Sequence, residues 1–318
     1  MGLSDLMDAA SQAPVKRRRR RSRWLVPFFL AVAVLVATVE LVTHKTVLPV
    51  PEQCQADTTS GVVQLSLDQM KNASTIAARA VVKGLPVRAA TVAIATAMQE
   101  SQLVNLDTGD RDSIGLFQQR PSQGWGTADQ ISDPVYSTDA FLKALQKVPG
   151  WERLSIADAA QAVQKSAFPQ AYAQHAADAA TLAAALTGQA PGALNCTMNS
   201  VGYAPVSNGT QTVASTVQHE FGGAVLVGSD GSDLVLTPSG SGSATQVGWA
   251  LAQWSVAHAT FLHLTSVSYD GKQWTSTAST KGWQSPTSSA AASGSAAAGT
   301  VQLTVAESAS ASASASSG

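Results

Sequence analysis

Apolar residues recur with the period of an α-helix through most of the segment from Cys54 to Cys196. Cap residues stand where the periodic runs begin and end. Ser66 and Gln69 form a capping box at the start of the first run, and Gly84 follows its end. The pattern predicts five helices: residues 67–83, 87–101, 134–147, a run starting after Ser155, and 169–187.

Residues 197–283 differ in pattern, because Thr, Val, Gly and Ser dominate them. Strands are expected at residues 212–217, 223–227 and 233–237, then a helix with Val247, Leu251, Trp254 and His258 on one face, then a hairpin over residues 267–275. These elements predict a small α+β domain. Residues 284–318 are rich in Ser and Ala, a low-complexity composition that predicts a disordered tail.

The N-terminal region predicts a membrane anchor. Residues 1–23 hold seven of the 20 basic residues and two of the 21 acidic ones, and residues 24–43 are almost entirely apolar. About 20 such residues can cross a bilayer, and a basic cluster holds its own side in the cytoplasm. A cleaved signal peptide is the alternative, since it has the same basic start. Either way, the body from residue 44 onward is expected outside the cytoplasm.

Charge outside the basic tail is mildly acidic. Residues 24–318 carry 13 basic and 19 acidic side chains, a formal net charge of −6. No basic face is apparent, so nucleic acid is not an expected partner.

The two cysteines, Cys54 and Cys196, lie at the two ends of the helical segment. In an oxidising compartment they are expected to form a disulfide; two unpaired buried thiols are the alternative. Two isolated cysteines do not have the spacing of a metal site, and no metal or cofactor is expected.

Candidate chemistry concentrates around an irregular stretch, residues 102–126, with a short hairpin expected at residues 108–117. Glu100 ends the preceding helix, where the helix dipole and apolar neighbours are both expected to raise its pKa. A protonated glutamic acid can protonate a glycosidic oxygen. A second carboxylate is available among Asp107, Asp110 and Asp112, which can equally be turn residues or a weak calcium loop. A lone glutamate at a helix end can also be a solvated surface residue.

Three further side chains of this stretch, Gln118, Gln119 and Trp125, are of the types that line sugar subsites through amide hydrogen bonds and ring stacking. The sequence Glu100-Ser101, followed by Ser113-Ile-Gly-Leu-Phe-Gln118, resembles the Glu-Ser and Gly-Leu-Met-Gln signature of goose-type lysozymes and soluble lytic transglycosylases. The wider run, residues 109–127, is similar to that of cell-wall proteins of actinobacteria.

The resemblance implies a small, mainly helical lysozyme-like domain over residues 54–196, with Glu100 as the catalytic acid. It places Ser101 beside that acid, and it places Ser113, Gly115, Leu116, Phe117 and Gln118 along a glycan groove, Phe117 replacing the family's usual Met. The family's third motif, Ala-Tyr-Asn, is matched by Ala171-Tyr172, whereas Ala173 replaces the asparagine. Tyr172 is therefore a candidate substrate-binding residue or a plain core residue.

The sequence thus predicts a mainly α lysozyme-like domain after one transmembrane helix, plus a small α+β accessory domain and a disordered tail. The expected activity is cleavage of peptidoglycan glycan strands on the cell-wall side of the membrane, either by water or by the sugar's own 6-hydroxyl. The alternative is a non-catalytic wall-binding or envelope-assembly protein that keeps the groove; a transport subunit ranks last. In the accessory domain, His219 and Glu220 lack the second histidine of a zinc peptidase and are expected at the surface.

Overall fold

The structure, a computed structural model, describes residues 30, 31, 33, 34, 51–199, 206–230, 233–239, 243–285 and 298–306. It groups the chain into two compact units, residues 1–49 and residues 50–318. The four described residues of the first unit are helical and exposed. The second unit contains all the other described residues.

Eight α-helices are described in this unit, and most begin at a residue that can cap them. They are α1 (Leu67–Val82), α2 (Val87–Ser101), α3 (Ala128–Ser132), α4 (Pro134–Leu145), α5 (Ile156–Gln164), α6 (Ala176–Leu186), α7 (Gly209–Phe221) and α8 (Ala244–His258). The capping box predicted for α1 is present: Gln69 N–H donates to the Ser66 hydroxyl, and the Gln69 side chain accepts from the Ser66 N–H. Pro134 occupies the first turn of α4, as predicted.

A three-stranded antiparallel sheet closes the segment that holds the first six helices. Its strands are β1 (Gln53–Thr58), β2 (Gly61–Leu65) and β3 (Leu194–Thr197), in the order β2-β1-β3. Cys54 and Cys196 face each other across β1 and β3 and form a disulfide, which confirms the predicted pairing.

A second sheet has five antiparallel strands in the order β4-β5-β8-β6-β7. These are β4 (Val225–Asp230), β5 (Asp233–Pro238), β6 (Leu264–Tyr269), β7 (Lys272–Thr275) and β8 (Val301–Val305). The predicted strand at residues 233–237 and hairpin at 267–275 are confirmed as β5 and the β6–β7 pair.

One continuous apolar core joins the two parts of this unit. It includes Ala93 of α2 and Leu182 of α6, and it continues through Trp254 of α8 to Leu303 of β8. Trp249, Trp254 and Trp274 are buried in it. The predicted domain boundary after residue 196 lies within this unit and stays a prediction.

The prediction of a mainly helical fold is wrong. The described residues are 49% helix and 19% strand, and the strands form two antiparallel sheets. Three strands, β1, β2 and β3, frame the segment that was predicted to be mainly helical. They are only four to six residues long. The partner of β1 in the pair β1–β3 is more than 130 residues away, so no local period reveals the pairing.

One predicted strand is also wrong, and the predicted disordered tail is wrong at residues 301–305, which form β8; most of the remaining tail lies outside the described residues. Val301, Leu303 and Val305 alternate with polar residues and bury one face of β8 in the middle of the second sheet. Residues 212–217 lie within helix α7 instead of a strand, since Val213, Val217 and Phe221 recur every four residues and bury one helix face. Here helical spacing outweighs the β-propensity of Thr and Val.

The structure shows no transmembrane helix in the part of residues 24–43 that it describes. Most of that range, like the predicted tail at residues 1–23, lies outside the described residues. No helix in the described part of the chain is both long enough and apolar enough to cross a membrane.

Glu220 was expected at the surface but is buried, with 6% of its area exposed. Its Oε1 lies 3.1 Å from His258 Nε2, and its Oε2 accepts a hydrogen bond of 2.7 Å from Trp254 Nε1. Burial alone raises the pKa of a carboxyl group, but the His258 charge and the hydrogen bonds hold the pKa of Glu220 below its usual value. Arg79 of α1 donates to the Glu220 carbonyl. This cluster therefore joins α1, α7 and α8.

We expect loss of the disulfide to destabilise the fold strongly. The bond closes a loop with a sequence separation of 142 residues. On the chain-entropy argument, a loop of this length contributes about 5 kcal/mol by restricting the unfolded chain. The Cys54→Ala/Cys196→Ala variant should lose that amount in urea unfolding, and reduction of the parent should reproduce the loss. A loss below about 1 kcal/mol would contradict this argument.

We expect Glu220→Gln to cost about 3–5 kcal/mol of unfolding free energy, because it leaves His258 buried without its charged partner. Urea unfolding monitored by circular dichroism measures the loss. Glu152→Gln, the same substitution at an exposed position, is the matched control and should change stability by less than about 0.5 kcal/mol. Equal effects of the two substitutions would rule out the proposed structural role of the pair.

Candidate functional site

Glu100 lies in the last turn of α2, where the helix stops abruptly. Gln102 and Leu103 both adopt left-handed backbone conformations, with φ of 54° and 61°. Their N–H groups donate to the carbonyls of Met98 and Ala97 and close the helix end. Glu100 is partly exposed, whereas the helix before Met98 is mostly buried. The helix therefore delivers one carboxyl group to the surface from a rigid, Ala-rich core.

The phenol of Tyr172 holds this carboxyl group. Tyr172 is completely buried, and its hydroxyl donates to Glu100 Oε1 over 2.6 Å. Burial, together with the nearby Glu100 charge, raises the pKa of Tyr172 far above its usual value, so the phenol stays a donor. The Ser166 hydroxyl acts in the opposite direction and lowers the pKa of Tyr172. The structure thus joins two residues that belong to separate sequence motifs.

A second polar group sits on the same helix end. Gln99 Oε1 lies 3.0 Å from Gln174 Nε2 and 3.1 Å from His175 Nε2. Burial lowers the pKa of His175, an effect that Asp178 partly opposes. The short 3₁₀ helix Ala171–His175 therefore contacts both Gln99 and Glu100 in the last turn of α2.

Ser101 connects this helix end to the loop that follows. It is buried, and its hydroxyl lies 2.7 Å from the Leu116 carbonyl and 3.0 Å from the Ala97 carbonyl. Gly115 is required beside it, because its φ is +76° and an added Cβ would lie 2.7 Å from the Ile131 carbonyl oxygen. On the far side, Gln164 Nε2 donates to the Phe117 carbonyl over 2.8 Å. The segment 115–117 is thus held beside Glu100 by its backbone.

The side chains of this segment point mostly inward. Leu116 and Phe117 are fully buried, and Phe117 stacks on Phe141 with ring centroids 4.7 Å apart. Gln119 is 2% exposed and donates to the Ser137 carbonyl. Ser113 is also buried. Gln118 is partly exposed, and its amide donates to the Gly115 carbonyl. The predicted hairpin at residues 108–117 is reduced to one bridge between Ile114 and Gln119.

The three aspartates of the loop are not joined to Glu100 by any hydrogen bond between described residues. Asp112 accepts from Arg120 Nε over 2.7 Å, and from the Ser122 N–H over 2.8 Å. The Arg120 hydrogen bond, with those from Ser122, holds the pKa of Asp112 well below its usual range. Asp110 is exposed near Arg111, and Asp107 is exposed as well. Through these hydrogen bonds Asp112 stabilises the loop.

Trp125 lies apart from Glu100, at a surface cavity of about 680 Å³. Tyr136 donates to the Trp125 carbonyl, and three lysines line the same cavity: Lys83, Lys143 and Lys147. Two other cavities, of about 710 and 750 Å³, lie at the α1–α8 side and beside β3. None of these three cavities is lined by Glu100.

Several residues around Glu100 belong to none of the sequence motifs. Ser166, Gln164, Gln174 and His175 contact the site through the chain between α5 and α6. Their only sequence signal was their place next to Ala171-Tyr172. Within the described residues, no group of three or more His, Cys, Asp or Glu side chains is placed to hold a metal ion.

Neither a scan against models of known protein families nor a search of curated proteins finds a match for this chain. The resemblance to lysozyme-like enzymes therefore depends on the short sequence motifs alone.

We expect Asp112→Asn to weaken the fall in folding stability that occurs as the pH is lowered. Because the folded-state pKa of Asp112 is lowered, the unfolded chain takes up its proton first, below about pH 4. The stabilisation by Asp112 is therefore present above that pH and is lost as the pH falls. A plot of Tm between about pH 2 and 5 should be shallower for Asp112→Asn. Asp110→Asn, with a side chain 93% exposed, is the control and should follow the parent.

Proposed function

We propose that this protein cleaves the glycan strands of peptidoglycan, with Glu100 as the general acid. The observation that carries the proposal is the hydrogen bond of 2.6 Å from the Tyr172 hydroxyl to Glu100 Oε1. The two residues come from the first and third motifs of the lysozyme-like signature and are 72 positions apart. Their contact is the geometry expected of a positioned catalytic carboxyl group.

The hydrogen bond assigns different tasks to the two oxygens of Glu100. Oε1 is occupied by the phenol, and no described residue hydrogen-bonds Oε2. A proton on Oε2 is therefore the one available to a substrate at the exposed side of the helix end. General acid catalysis requires a donor held within hydrogen-bond reach of the leaving oxygen, and a fixed carboxyl group meets that requirement.

The departing sugar leaves a cationic centre that must be captured. An inverting reaction by water needs a second carboxylate as base. Asp112 is engaged with Arg120 and Ser122, and the described contacts connect neither Asp107 nor Asp110 to Glu100. These observations favour capture by the sugar's own 6-hydroxyl. Glu100 would donate its proton as the C1–O bond breaks and recover it as the 6-hydroxyl oxygen bonds to C1, which leaves an anhydro end.

The disulfide supports an extracytoplasmic site of action, because such bonds persist in oxidising compartments. Peptidoglycan is found in the same compartment.

A non-catalytic wall-binding or envelope-assembly role is the second candidate. Two observations favour it: Ala173 stands where the family has asparagine, and Glu100 lines none of the three cavities described above. A protein of this kind would bind glycan strands without cutting them.

We expect Glu100→Gln to reduce the release of muropeptides from purified peptidoglycan by at least about 100-fold, because it removes the acid proton. Tyr172→Phe should reduce release by about tenfold or more, since it loses the hydrogen bond that orients the Glu100 carboxyl group. Mass spectrometry of the products distinguishes anhydro from reducing ends.

Asp110→Asn is the matched control for loss of a nearby carboxylate, and it should release products at the parental rate. Circular dichroism verifies that each variant is folded. No release by the parent would refute the enzymatic proposal and leave the binding role, whereas equal release by parent and Glu100→Gln would refute the role of Glu100.

A further inference from the structure

Phe168 is the most exposed large apolar residue in the second compact unit as far as it is described, with 75% of its area accessible. Single exposed apolar residues are common on protein surfaces and require no explanation by themselves. Phe168 differs from an ordinary exposed residue in two respects. Its loop is held by several hydrogen bonds, and that loop leads directly to the candidate acid.

The loop around Phe168 is fixed on both sides. The Phe168 N–H donates to the Ser166 hydroxyl over 3.1 Å, and the Phe168 carbonyl accepts from the Ala171 N–H over 3.1 Å. Gln161 Nε2 donates to the Ser166 carbonyl over 2.9 Å. Pro169 restricts the backbone immediately after the phenylalanine. The ring is therefore presented to solvent from an ordered backbone, which lowers the entropy lost when it binds a ligand.

A short series of contacts links Phe168 to Glu100. Ser166 accepts from the Phe168 N–H, and its hydroxyl lies near enough to the Tyr172 phenol to lower the pKa of that phenol. Tyr172 in turn donates to Glu100 Oε1. Two side chains thus separate the Phe168 backbone from the candidate acid. The Phe168 loop is therefore attached to the Tyr172 side of Glu100.

We propose that Phe168 is a stacking platform for a pyranose ring of a β-1,4-linked glycan, on the side of Glu100 formed by residues 166–172. The C–H face of such a ring is apolar, and an aromatic face attracts it through dispersion and the ring quadrupole. The inference rests on the proposed function for its substrate class. It adds a binding residue that the motifs did not include.

Binding by the full chain carrying Glu100→Gln tests this proposal without consuming the ligand. The probe is chitohexaose, the β-1,4-linked hexamer of N-acetylglucosamine, and its Kd is measured by isothermal titration calorimetry. In this background Phe168→Ala and Phe168→Leu should both raise Kd by roughly five- to tenfold. Phe168→Tyr keeps an aromatic face and should bind as the background does.

Leu226→Ala is the matched control, because Leu226 is also an exposed apolar residue, at 60%, but lies on β4. It should leave Kd unchanged. Three outcomes would overturn the proposal: no binding of chitohexaose by the background chain, a change of less than twofold in Phe168→Ala, or full affinity in Phe168→Leu. The last would indicate a general apolar contact rather than ring stacking.

The binding assay and the cleavage assay test the two proposals independently. If the chain with Glu100 intact releases no muropeptides but Phe168→Ala still weakens chitohexaose binding, the enzymatic proposal fails and the stacking platform stands. If the chain cleaves peptidoglycan and Phe168→Ala binds and cleaves normally, the enzymatic proposal stands and the stacking platform fails.

Discussion

The pairing of β1 with β3 is the constraint on which the rest of the second unit depends. These strands are the two ends of the helical segment, and the Cys54–Cys196 disulfide locks their register. β3 is also where the remaining elements attach. Gln253 of α8 accepts from the Leu194 N–H, Trp283 donates to the Leu194 carbonyl, and Trp274 donates to the Asn195 side chain. One short strand therefore closes the helical segment and anchors the second sheet.

That closure bears on the candidate site through α2 and α6. Both helices are rich in alanine, and their buried faces include Ala93, Ala97, Ala179 and Ala183. Small side chains let two helix backbones approach closely, and tight packing resists small displacements. Glu100 is at the end of α2, and the 3₁₀ helix that supplies Tyr172 leads directly into α6. The 2.6 Å contact between these residues is therefore set by helix packing rather than by a loop.

Local signals in the sequence predicted what is locally determined. The capping box of Ser66, the Pro134 start of α4 and the β6–β7 hairpin depend on neighbouring residues, and all were predicted. The strand pair β1–β3 and the insertion of β8 between β5 and β6 depend on partners far along the chain, and both were missed. At the site, Glu100 and Tyr172 came from motifs. Ser166 and His175 did not, because nothing in their own spacing indicates where the loop folds back.

Two glutamates of this unit show how the surroundings of a carboxyl group favour either a structural or a chemical role. Glu220 has both oxygens engaged, one by His258 and one by Trp254, and 6% of its area is exposed. Both oxygens are engaged and the side chain is buried beside His258, so this carboxyl group serves the fold. Glu100 has one oxygen held by a neutral donor and is partly exposed. A carboxyl group that is held at one oxygen and has no ion-pair partner among the described residues keeps a proton-transfer site, which is why we propose Glu100 for the chemistry.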